Sequence, residues 1–119
     1  MSVSIGYELF PLRFSLKVKE PSKLTIKATN AGLKSKLLTL ELVLPEQLGL
    51  DKGSLNKGLR KRLGEVRPNE TKVFETPVYL SPALASEGLF NGQIEVLEHL
   101  NDYNEVVRSF KKPISFRIV

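Results

Sequence analysis

Apolar and polar side chains alternate along this chain in short runs, and each run stops at a cluster of Gly, Pro, Asn or Ser. Leu12, Phe14, Leu16 and Val18 fall on one side of such a run, with Arg13, Ser15, Lys17 and Lys19 on the other. The same period returns in Leu24, Ile26, Ala28, in Leu38, Leu40, Leu42, Leu44 and in Ile114, Phe116, Ile118. A period of two sends successive side chains to opposite faces of a strand, so each run reads as half-buried antiparallel sheet.

The breaks set the strand boundaries. Strands are expected over 2–10, 12–19, 23–29 and 37–44, ended by Pro11, Glu20-Pro21-Ser22, Asn30-Ala31-Gly32 and Pro45. Residues 46–66 are the least regular. Leu55, Leu59 and Leu63 have helical spacing behind a Ser54 cap, while Leu59, Lys61, Leu63 and Glu65 alternate as a strand. Gly58 and Gly64 weaken the helix, which favours a loop followed by a short strand over 59–66. Pro68 suits the second position of a turn over Arg67-Pro68-Asn69-Glu70. Strands over 71–80, 88–98 and 105–119 follow, with one helical turn over 81–86 and a hairpin at 101–104. Pro11, Pro77 and Pro113 mark guarded edges or bulges.

Seven or eight strands without a long helix exclude a parallel α/β sheet and predict an all-β antiparallel sandwich, with a closed barrel as the architectural rival. The expected core is Phe14, Leu16, Leu24, Ile26, Leu40, Leu42, Phe74, Val78, Phe90, Ile94, Val96, Phe110, Phe116 and Ile118.

At 119 residues the chain is expected to form one domain, residues 1–119, large enough to bury a core without staples. It has no cysteine, which excludes disulfides and thiolate chemistry and removes the commonest zinc ligands. Its first residues carry neither a basic segment nor an apolar one, so no signal peptide is read and a cytoplasmic location is expected. No apolar stretch is long enough for a membrane span. Many Lys and Glu beside few thermolabile residues give a thermophile-like bias.

The stretch Leu24-Thr-Ile-Lys-Ala-Thr-Asn-Ala-Gly32 is followed by leucines closing at Leu44-Pro45. Then come Leu63-Gly-Glu-Val-Arg-Pro-Asn-Glu-Thr71 and Gly88-Leu-Phe-Asn-Gly-Gln-Ile-Glu-Val96. This order, over roughly residues 12–119, resembles the immunoglobulin-like modules of bacteria and archaea of the cell-adhesion-related CARDB type. That pattern has an Asn-x-Gly turn, a Leu-Gly-x-Leu-x-Pro-Gly-Glu turn and a Gly-x-Tyr strand. Here Asn69 replaces the turn glycine, and Phe90 stands where Tyr is common. The resemblance implies a β-sandwich used for adhesion, spacing or interaction, and brings no catalytic residues and no cofactor.

No constellation of chemical groups converges in the sequence. His99, the one histidine, sits beside the expected hairpin turn and reads as a surface residue rather than part of a triad or metal site. Glu41 with Glu75, or Glu95 with Glu98, would be the carboxylate pairs. Gly49 to Gly58 lacks the residues of a phosphate loop. Asn69-Glu70-Thr71 matches a glycosylation sequon. Tyr7, Tyr79 and Tyr103 read as rim or core positions.

The one charge feature is basic. Lys52, Lys57, Arg60, Lys61, Arg62 and Arg67 face only Asp51 and Glu65 in a chain of net charge +5. The expected function is therefore a non-enzymatic interaction or assembly module, with another protein or a second copy of the chain as partner. The alternative is binding of nucleic acid or an anionic membrane surface through 52–67, without aromatic stacking platforms there.

Overall fold

A computed structural model describes residues 3–18 and 20–119. It contains nine strands: β1 (Val3–Phe10), β2 (Arg13–Phe14), β3 (Ser22–Asn30), β4 (Lys36–Val43), β5 (Leu48–Gly49), β6 (Gly58–Val66), β7 (Thr71–Leu80), β8 (Gly88–His99) and β9 (Val106–Ile118). They form two sheets, of order β1-β3-β7-β5 and β2-β9-β8-β4-β6. All pairings are antiparallel except β2 with β9. The architecture is the open sandwich expected from the alternation.

Register explains the core. In β3 the even positions Leu24, Ile26 and Ala28 are buried and meet Leu9, Tyr7 and Ile5 of β1. In the other sheet Leu38, Leu40 and Leu42 of β4 join Ile94 and Val96 of β8 and Ile114, Phe116 and Ile118 of β9. Each fully buried Leu, Ile or Phe contributes roughly 1.5–3 kcal/mol, so these inner faces supply most of the drive to fold. Leu16, Phe74 and Phe90 pack against the core while partly exposed, and Leu48, Val66 and Leu44 belong to it as well. Phe110 does not; near the far end of the long edge strand β9 it is only half-buried.

The structure corrects the second strand. Only Arg13 and Phe14 pair, and Leu12 and Val18 are exposed. The Ser15 hydroxyl accepts the amides of Lys17 and Val18, turning the chain before a longer strand can form. The Lys19 end of that expected strand, and the Ser2 start of the first, lie outside the described residues.

Residues 58–66 form a strand, not a helix. A bulge shifts its register against β4 between Leu38 and Thr39, and Gly64 there has φ +78°. The extra residue moves the inward positions of β6 from odd, at Leu59, to even, at Val66. Asn69 takes φ +65° in the following turn, a conformation that Asn tolerates better than most residues.

Candidate functional site

The outer face of the five-stranded sheet is built from positions that alternate with the core. On β4 these are Leu37, Thr39, Glu41 and Val43. Register sets Arg60 of β6 and Glu95 of β8 on either side of Glu41, and Arg62 beside Thr39. Arg60 donates to Glu41 at 2.9 Å. Exposed pairs of this kind stabilise by less than about 1 kcal/mol, but this one fixes where the guanidinium points.

The β8–β9 hairpin folds back over the same face. Its turn is closed by Leu100 donating to the Glu105 carbonyl at 3.1 Å and by Asn104 donating to the Asp102 carboxylate at 2.9 Å. Tyr103, at the tip, packs edge-on against His99 with centroids 5.1 Å apart. The Arg62 guanidinium lies over the Tyr103 ring at 4.4 Å, within cation–π range.

This covering corrects the reading of His99, which is buried at 3% exposure. Its Nε2 shares a 2.7 Å hydrogen bond with the Thr39 hydroxyl, while Nδ1 is buried without a partner. Sequence reasoning missed Thr39, and it read Tyr103 as no more than a rim or core position. An aromatic side chain inside a polar hairpin turn was the available signal.

The six cations of 52–67 do not share one surface. Lys57 folds inward, donating to the carbonyls of Glu46 and Leu48 at 2.7 and 2.9 Å, and so closes the loop before β6. Lys52 lies in that loop, Arg60 and Arg62 are on the outer face of β6, and Lys61 alternates to the opposite side. Arg67 follows β6 in the next turn, its amide donating to Glu70 at 2.9 Å. That bond, followed by the nearby Lys72 and Arg67 charges, holds the Glu70 carboxyl below its ordinary range. Ten residues of extended chain separate Lys57 from Arg67 by about 30 Å. The structure thus brings Arg60 and Arg62 together and sets the other four apart.

The carboxylate pairs also resolve differently. Glu41 and Glu75 lie on the outer faces of different sheets, and Glu95 and Glu98 alternate to opposite faces of β8. Glu98 instead pairs with Lys36 at 3.3 Å, both largely shielded. Among the described residues no group of three metal-ligating side chains converges. A half-open cleft of about 480 Å³ lies at one end of the sandwich, lined by Leu16, Pro21, Lys52, Tyr79, Leu80 and Pro82 among others. Among the described residues no helix is long and apolar enough to cross a membrane.

No protein-family pattern matches the chain, and no curated protein matches it. Solved structures do. A FixG-related protein from Vibrio parahaemolyticus aligns at a TM-score of 0.59 and 11% identity, covering 98% of this chain and 95% of that one. An alpha-2-macroglobulin point mutant from Salmonella aligns at 0.67 and 18% identity, covering 99% of this chain but 7% of its own. AvmM, described as catalysing macrocyclization in alchivemycin A biosynthesis, aligns at 0.61 and 10% identity, covering 98% and 88%. At such identities the likeness is one of fold alone. The fold is an immunoglobulin-like β-sandwich.

Proposed function

We propose that the chain is a non-enzymatic interaction or assembly module that contacts another protein through the outer face of its five-stranded sheet, along β4 and β6. The observation that carries this reading is the stack of Arg62 on Tyr103, next to the Arg60–Glu41 pair. Arg and Tyr are the side chains that dominate binding hot spots, and here both are held in place before any partner arrives. The turn sequences that resemble cell-adhesion-related modules support the same use.

A polyanion is the weaker occupant. A phosphate backbone gains from many cations along one track, whereas Lys57 is committed to the loop and Lys52, Lys61 and Arg67 point away from the Arg60–Arg62 face or lie beyond it. The test is capture from native lysate, with bound proteins identified by mass spectrometry. Arg62→Ala and Tyr103→Ala should each weaken capture of the same protein by at least about tenfold, the scale of a modest hot spot. Turnover on a broad substrate panel that one polar substitution abolishes, or capture indifferent to both variants, would overturn the reading.

A further inference from the structure

β6 is an edge strand with one neighbour, β4. The Leu44 amide donates to the Lys57 carbonyl at 2.7 Å, which fixes the phase of the ladder entering β6. Antiparallel alternation then directs the backbone groups of Leu59 and Lys61 to β4 and those of Gly58, Arg60 and Arg62 outward. Among the described residues none of these three makes a backbone bond elsewhere. No proline interrupts β6.

The other long edges differ. Phe14 and Leu16 pair with Val119, so odd positions of β9 face outward, and Pro113 leaves a missing N–H in the middle of that row. β7 carries Pro77 and is covered at Leu80 and Tyr79 by β5. β1 has no proline, but its one charged residue is Glu8. β6 with the residue at each end holds Lys57, Arg60, Lys61, Arg62 and Arg67 against Glu65 alone. Lysines on an edge commonly serve to repel other strands. Here two of the three adjacent cations are arginines, and each is oriented by a partner, Glu41 or Tyr103.

Resting on the interaction-module reading, we propose that β6 is a strand-addition site for an extended acidic polypeptide segment. Its alternate carboxylates lie opposite Arg60 and Arg62, and its backbone pairs with Gly58, Arg60 and Arg62. Two copies of β6 would set like charges opposite each other, so a second copy of this chain is the wrong occupant.

The test uses the full chain and a labelled nine-residue peptide alternating Glu with Val, followed by fluorescence anisotropy. A second peptide of the same sequence carries N-methyl groups on alternate amides, keeping every charge but blocking one backbone edge. The unmodified peptide should bind at least about tenfold tighter than the methylated one, since each lost backbone bond costs a few-fold or more. Arg60→Ser with Arg62→Ser should weaken it similarly while the melting temperature falls by only a few degrees, because an exposed ion pair and one exposed cation–π contact each contribute less than about 1 kcal/mol. Exchange of the Gly58, Arg60 and Arg62 amides should slow when the peptide binds.

Equal binding of the two peptides, tighter binding of duplex DNA than of either, or no binding at low salt overturns strand addition. If lysate capture still depends on Arg62 and Tyr103 in that event, the module reading stands and only the mode of contact falls.

Discussion

Asn30 is fully buried at the end of β3, where two turns meet. Its side-chain amide donates to the Lys34 carbonyl at 2.8 Å and to the Val66 carbonyl at 2.9 Å, and its oxygen accepts the Gly32 amide at 2.9 Å. The same residue's backbone pairs with Glu70 and Asn69. One side chain therefore ties the β3–β4 turn to the end of β6. Asn30→Ala removes three hydrogen bonds at about 1 kcal/mol each, a total near 3 kcal/mol. For a chain of this length that corresponds to a fall of roughly 12 °C in melting temperature. Thermal and urea melts followed by circular dichroism read it directly. Asn30→Asp keeps the acceptor for Gly32 but sets a carboxylate against two carbonyl oxygens. At pH 7 it should be at least as unstable as the alanine variant, and it should recover part of the loss near pH 4, where a protonated acid can donate. A loss below about 1 kcal/mol for Asn30→Ala would refute the reasoning, since one ordinary hydrogen bond accounts for that much.

Three further perturbations follow from the same structure. Thr39→Val removes the hydroxyl bonded to His99 and leaves both ring nitrogens buried without partners, so urea melts should show a loss of about 1–3 kcal/mol. Gly92→Ala would place a Cβ 2.5 Å from the Val43 carbonyl oxygen, where backbone must move, and should cost about 1–3 kcal/mol in the same assay. Glu70, lowered chiefly by its bond from the Arg67 amide, contributes stability above its unfolded value of 4.5 that is lost as pH falls through the folded value. Its carboxyl should titrate by NMR below the ordinary carboxylate range, and Arg67→Pro, which removes the donating amide, should move the midpoint back up.

What could be read from the sequence was local, and what could not was set by contacts between distant residues. Period-two runs and turn residues placed β3, β7 and most of β8 within a residue or so, because alternation and backbone preference act over neighbours. β2 failed for a local reason with a quieter signal: one serine hydroxyl captured two amides and ended the strand. His99 failed for a distant one. Its sequence neighbours are those of a surface turn, and only the fold-back of Tyr103 onto the sheet buries it. The cations show the same division. As a string, Lys52 to Arg67 is one dense run, but strand geometry spreads it over about 30 Å and alternation sends Lys61 to the other side from Arg60 and Arg62. Gly64 carried a separate signal, since a glycine inside an alternating run points to a bulge. That bulge lets β6 present Arg60 and Arg62 outward at one end while burying Val66 at the other. Removing the residue before it, Leu63, would restore a regular register to the strand and force either the arginines or Val66 onto the wrong face.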